Sequence, residues 1–569
     1  MRVTRVGGLS VAAVVALLLG SVPASAGPKF NAPKPKFKES IAFDVSPTLR
    51  DLAKKDRIAP SSDPDTEFVD PRRDRGPVGI DDGFSGDVSE SGEPVVGFAP
   101  TIAAPLANFE GLSNQANFNL FGFRVNPPDP VGDVGPNHYV QMVNLAYAVY
   151  DKQGNLLVGP VDTGTLWTGF SVPDCTDPSG DPVVLYDHFA NRWLLTQFTT
   201  RGPIYYNCVA ISQTGDPTGA YYRYAFTAGQ FFPDYPKYGV WRDSYILTSR
   251  DFGPTGEYGI SVYALEKNKM DNGQAKARAV QFFLDSDVVP IYLMGDGLLP
   301  PDVDGKTKPK NDAPAPIVGT MDNTFAPYGA PFDGLNIFEL DVHWNSKPDA
   351  SFQLATQLPV TAFDSVFPCP GGGRICLPQP GALVSQYLDI LSYRQRPTYR
   401  LAYRNFGTHE SFVTAQSVEA ATGVAGMRWY EIRRVDGVYS VYQQGTHNPG
   451  DGIHRWMGSA AMDRNGNIAL GYSVVNGASV FPGIRYTGRL AGDALGSMTL
   501  GEATIVNCSG IQRSINNRWG DYSSLNIDPV DDCTFWYANE YYTAAGQALS
   551  TVGWQTRIAS FRLPGCGAP

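Results

Sequence analysis

The strongest constraint on this chain is a plan that recurs along it: a short apolar strand, an aspartate, a tight turn, a second strand. It is read in Val149-Tyr-Asp151-Lys-Gln-Gly-Asn-Leu-Leu157, Leu185-Tyr-Asp187-His-Phe-Ala-Asn-Arg-Trp193, Ala461-Met-Asp463-Arg-Asn-Gly-Asn-Ile-Ala469 and Asn526-Ile-Asp528-Pro-Val-Asp-Asp-Cys-Thr534. An aspartate at that point bonds turn amides, and Gly or Asn tolerates the left-handed position beside it. The two later copies also align further back: Arg455-Trp456-Met-Gly-Ser leads to Asp463, and Arg518-Trp519-Gly-Asp-Tyr-Ser leads to Asp528. A unit of about 40–65 residues holding three or four strands has the spacing of a β-propeller blade. Such units cannot bury their faces singly, so they pack side by side around an axis. The expected fold is therefore all-β, a six- or seven-bladed β-propeller, with blades near 132–172, 180–228, 236–285, 290–356, 382–447, 453–506 and 517–563. A stacked sandwich is the structural runner-up.

Composition agrees. With 60 Gly and 45 Pro the chain carries too many breakers to be mainly helical, and 43% hydrophobic with 12% aromatic residues suffices for a large core. No Tyr or Trp precedes Tyr139, which separates an aromatic-poor leader from an aromatic-rich body. Residues 1–26 read as a secretory signal: Arg2 and Arg5, the apolar run Val11 to Leu19, then Ala24-Ser25-Ala26 as cleavage site. Residues 27–101 read as a flexible linker or pro-segment, and 102–569 as the propeller domain. A secreted protein is expected, with no transmembrane segment, and a monomer. A formal charge of −11 disfavours nucleic acid and anionic membrane surfaces as partners.

An exported chain with seven cysteines is expected to form disulfides. Cys369 and Cys376 flank a Pro-Gly-Gly-Gly-Arg loop, Cys175 and Cys208 fall on neighbouring strand-like segments, and Cys533 with Cys566 would tie the last strand to the body. Cys508 is left free.

Several segments carry a resemblance. Arg518-Trp-Gly-Asp-Tyr-Ser-Ser524 to Cys533-Thr-Phe-Trp-Tyr537 resembles a stretch of secreted bacterial propeller proteins of unassigned function. So do Tyr403-Arg-Asn-Phe-Gly407, Gly426-Met-Arg-Trp-Tyr-Glu431, and Arg455-Trp-Met-Gly-Ser459 to Gly471-Tyr472. The resemblance implies a sialidase-like propeller architecture rather than a reaction. The Asp-box of sialidases has Gly two residues after Asp, whereas Asp463 is followed by Gly466. Phe561-Arg-Leu-Pro564 is similar to a motif that opens sialidase propellers, yet here it closes the chain, so no sialidase catalytic residue carries over.

In a propeller, the innermost strands and the loops that lead into them line the axial pocket. Those loops hold carboxylates, arginines, histidines and aromatics together, a mixture that suits a sugar. A glycoside hydrolase needs two carboxylates facing the bond, for which Asp181 and Asp521 are chosen. A polysaccharide lyase would use His138, His409 and Tyr522 as base and acid. Arg404, Asn405, Arg455, Trp456, Arg518, Trp519 and Lys237 are the expected substrate-binding residues. No cofactor is required; calcium is the metal that the clustered oxygens around Asp177 and Asp463 would suit, though both clusters also explain themselves as turns. An extracellular glycan is the expected partner, and a non-catalytic binding or adhesion propeller is the alternative.

Overall fold

The computed structural model describes residues 30–54, 65, 67–68, 102–367, 369, 374–390, 395–514 and 516–567. The proposed signal segment 1–26 and most of 55–101 lie outside them.

The aspartate-turn plan is visible at atomic level. The Asp151 carboxylate accepts the amides of Gln153 and Asn155, Asp187 those of Phe189 and Ala190, Asp463 those of Asn465 and Asn467, and Asp528 that of Val530. Three of these turns follow the innermost strand of a blade. The first, at Asp151, instead joins Ala146–Asp151 to Leu156–Asp162, the third and fourth strands of its blade.

There are seven blades. The first runs from Val131–Val134 to Leu156–Asp162, the second from Val184–Asp187 to Tyr221–Gly229, and the third from Phe232–Val240 to Arg278–Asp285. The fifth runs from Thr398–Asn405 to Val438–His447 and the sixth from His454–Met462 to Leu500–Val506. In each, four strands pair antiparallel from the axis outward. Each innermost strand packs on the next, and the last, Ser524–Ile527, returns to the first, closing the ring.

Two blades depart from the plain pattern. In the fourth, the outer strands Ala315–Met321, Gly334–His343 and Asp349–Pro359 form a sheet of their own. Leu299, just before the blade's innermost strand Pro301–Val303, bridges to Val318 of that sheet, while the strand itself pairs in parallel with Leu401–Tyr403 of blade five. The seventh blade joins three C-terminal strands, ending at Gln555–Phe561, to Ala107–Ser113 from the start of the domain. Backbone hydrogen bonds between residues some 450 positions apart thus fasten the ring.

Part of the stretch read as a linker is built into the domain. Lys36–Glu39 adds an outer strand to blade three and Ala42–Val45 one to blade two. Phe43 packs on Tyr224 with ring centres 5.0 Å apart, and Asp44 pairs with the buried Arg223 at 2.6 Å. A strand edge with apolar neighbours gives this segment packing that its Pro and Lys content did not announce.

The disulfides are Cys175–Cys208, Cys369–Cys376 and Cys533–Cys566, as the spacing suggested, and Cys508 is free. Among the described residues no helix is long and apolar enough to cross a membrane.

Candidate functional site

All innermost strands run in the same direction, so the loops leading into them gather at one end of the axis and the turns that follow them at the other. Each end carries a buried polar network.

At the lead-in end, Asp129 and Asp181 both adopt left-handed backbone, with φ of 45° and 49°. Asn144, in the hairpin between them, holds both: its Nδ2 donates to Asp129 Oδ2 and its Oδ1 accepts the Asp181 amide. Asp129 Oδ1 accepts the Asp521 amide at 2.7 Å, which joins blades one and seven. Arg518 donates to Asp521 at 2.7 Å and lies 2.9 Å from Asp389; Arg396 approaches Asp521 at 3.4 Å. The Asp521 side chain retains 13% exposure. Arg518 first, then Arg396, hold its carboxyl well below the usual carboxylate range against the opposing effect of burial.

Tyr522, next in the chain, donates its hydroxyl to the Pro236 carbonyl at 2.8 Å and approaches Asp181 at 3.4 Å. A bulge between Asp234 and Lys237 turns Tyr235 and Lys237 toward the same end. The Lys237 ammonium lies 3.0 Å from the centre of the Tyr235 ring and 3.4 Å from that of Tyr522. Burial, then the Arg396 guanidinium, push the lysine well below its ordinary range.

Five of the residues singled out from sequence therefore meet: Asp181, Asp521, Tyr522, Lys237 and Arg518. The others do not join them. Arg404 pairs with Asp532 at 2.6 Å and Asn405 donates to the Lys308 carbonyl, both at the opposite end because they close an innermost strand. His409 follows them in the same hairpin, stacked on Phe406. His138 begins the second strand of blade one, beside Asp151, and is likewise at the far end. Arg455 turns into its own blade toward Asp451 and Glu502, both within 2.8 Å. Trp456 and Trp519 pack on each other at 5.1 Å within the apolar core. Asp177 pairs with Arg201, and Asp463 spends its oxygens on its own turn and Asn467. Among the described residues no group of three or more His, Cys, Asp or Glu is arranged to hold a metal ion.

Sequence reading missed Arg396, Asp389 and Glu540 in this cluster. Arg396 was findable, since it leads into Thr398–Asn405. Glu540 was passed over because it lies on a second strand, Phe535–Tyr541, though a glutamate inside Phe-Trp-Tyr-Ala-Asn-Glu-Tyr was a signal.

At the far end Arg400 donates to Asp302 at 2.7 Å and to both oxygens of Asp304 at 2.7 and 3.0 Å. With Asp133, His188 and Asp532 these residues surround a cavity of about 30 Å³. That is room for a water or two and not for a sugar ring. The lead-in end is taken as the candidate because five of the residues nominated from sequence meet there.

No protein family matches the chain, and no curated protein matches it in sequence. Solved structures similar to it include polysaccharide lyase Uly1, at 10% identity and TM-score 0.34, covering 81% of this chain and all of the lyase. A thermostable family-43 glycoside hydrolase is 10% identical with TM-score 0.29, over 57% of this chain and 98% of that one. An endo-arabinase from Bacteroides thetaiotaomicron is 12% identical with TM-score 0.25, over 56% and 95%. At such identities and scores these likenesses bear on neither substrate nor reaction.

Proposed function

We propose that this propeller cleaves an extracellular carbohydrate at the lead-in end of its axis, as a glycoside hydrolase. One observation carries the reading: Asp181, Asp521, Tyr522, Lys237, Arg396 and Arg518, drawn from four blades and the loops between them, converge there. Asp521 is the ionised, partly exposed carboxylate, and it acts as nucleophile or base. Asp181 is a second carboxyl of the site, approached by the Tyr522 hydroxyl at 3.4 Å. Arg518 and Arg396 orient Asp521, and Tyr522 supplies an aromatic wall. With Asp129 and Asp389 the cluster holds four aspartates to two guanidiniums, a balance that stabilises the positive charge of an oxocarbenium-like transition state. The three disulfides agree with an oxidising compartment outside the cytosol.

A polysaccharide lyase is the second reading, favoured by one feature. The depressed Lys237 amine beside Tyr522 is chemically suited to abstracting a proton. Incubating the mature protein with a panel of neutral and acidic glycans separates these readings. Reducing ends without ultraviolet absorbance support the hydrolase, while an unsaturated uronate product supports the lyase. Tight binding without any product overturns both and leaves a binding propeller. The Asp521→Asn variant should lower kcat about 10²–10⁴-fold in either enzyme.

A further inference from the structure

The lead-in cluster contains a third acidic side chain whose surroundings differ from those of Asp181 and Asp521. Glu540 is 1% exposed, near the axial end of the second strand of blade seven. Its neighbour Asn539 is pinned by hydrogen bonds from its Nδ2 to Ser473, Tyr537 and the Met457 carbonyl, and accepts the Glu540 amide on its Oδ1. The strand therefore fixes where the Glu540 side chain points. Neither of its carboxyl oxygens has a hydrogen-bond partner among the described residues. Buried polar groups normally have at least one partner. With no donor facing it, burial costs the ionised form of this carboxyl far more than the neutral one.

Gly520 holds the space in front of it. At φ 142°, a Cβ on that residue would stand 3.2 Å from Glu540 Oε1 and 3.4 Å from Asp129 Oδ1. The glycine thus lies between two carboxyls and one position before Asp521.

We propose that Glu540 is the proton donor of this site, a catalytic residue that works together with Asp521. The proposal rests on the glycan-cleaving reading above. In the hydrolytic step the Glu540 proton passes to the glycosidic oxygen as the bond to the anomeric carbon breaks. The leaving sugar departs as an alcohol, and the oxygen of water ends on the anomeric carbon. Water then returns a proton to Glu540, so atoms and charge balance. The charged groups facing Glu540 are Asp129, Asp389 and Asp521, which oppose its ionisation, and Arg518, which favours it. Burial acts first and the neighbouring aspartates second, and together they push the carboxyl well above the ordinary range. Arg518 is already engaged by Asp521 and Asp389. The two carboxyls Glu540 and Asp521 are displaced in opposite directions, as an acid and a base sharing one site require.

The test has two independent readouts. In the wild-type protein with ¹³C-labelled glutamate carboxyls, NMR at pH 7 should contain a protonated carboxyl that Glu540→Gln lacks. If every such resonance is ionised at pH 7, the inference fails, whether or not a substrate is known. On a cleaved glycan, Glu540→Gln should lower kcat about 10²–10⁴-fold with little change in KM, and should lose the alkaline limb of the pH–rate profile. Full activity with an unchanged profile overturns the assignment while leaving the glycan-cleaving reading intact. If no glycan is cleaved by wild type, that reading falls, and the NMR result still decides the state of Glu540. Should the glutamine variant not fold, Glu540→Asp takes its place, since it keeps a carboxyl in the protein while removing the same glutamate resonance from the spectrum.

Discussion

Replacing Arg400 by Met tests the division of the axis into a reactive end and a structural one. The Arg400 side chain is 1% exposed and neutralises Asp302 and Asp304, with a further hydrogen bond to the Leu525 carbonyl at 3.2 Å. Asp133 lies close enough to Asp302 that its carboxyl is raised well above the ordinary range, by burial first and Asp302 second. Methionine fills similar volume but leaves three acids facing one another without their cation. Removing one partner of a buried ion pair costs about 3–5 kcal/mol, because the remaining charge is stranded rather than because the pair was strong. The sign with pH follows from the same carboxyls. Without Arg400 the folded pKa values of Asp133 and Asp302 rise further above the unfolded ones, so the stability they contribute is present at low pH and is lost as pH rises. Urea unfolding should therefore show a deficit of about 3–5 kcal/mol at pH 8 that narrows toward pH 5. The triple variant Arg400→Met, Asp302→Asn, Asp304→Asn should recover much of it. A deficit below about 1 kcal/mol, or one independent of pH, would refute the reasoning, since a solvated pair is worth no more than that. Glycan cleavage by the folded fraction should be unchanged; its loss would move the site to this end.

Other consequences can be measured in the same way. Burial pushes the Asp251 carboxyl up to about 7, against hydrogen bonds from Ser249 and Ser261. A raised folded pKa means that its contribution is complete below about pH 4 and lost by about pH 7, a change of about 4 kcal/mol. Asp251→Asn should flatten that part of the stability–pH curve, and a curve parallel to wild type would contradict this. Cys533–Cys566 and Cys175–Cys208 each close a separation of 33 residues, and Cys369–Cys376 one of 7. Chain entropy makes the first two worth about 4 kcal/mol each and the third about 2. Paired Cys→Ser variants unfolded in denaturant should follow that order, and the reverse order would exclude an entropic origin.

Much of the fold was readable from the sequence because its signals are local. The aspartates at 151, 187, 463 and 528 bond amides two to four residues away, so strand–turn–strand units could be seen one at a time. Blade spacing followed, and so did the three disulfides, whose partners lie on neighbouring segments. The number of blades waited on the structure, because the fourth takes its innermost strand across a gap and the seventh completes itself with Ala107–Ser113. The site depended on the tertiary structure more completely. Asp521 meets Asp129 across 392 positions, and Tyr522 approaches Asp181 across 341. Nothing in their local sequence distinguishes Asp181 from Asp177, or Tyr522 from any other strand-lining tyrosine. Which end of an innermost strand a residue occupies separates Arg518 from Arg404, and that follows from the direction of the strand around the axis. Glu540 needed still more: its protonation depends on the charges that ring closure places beside it, and charges that distant in sequence act only through the folded ring.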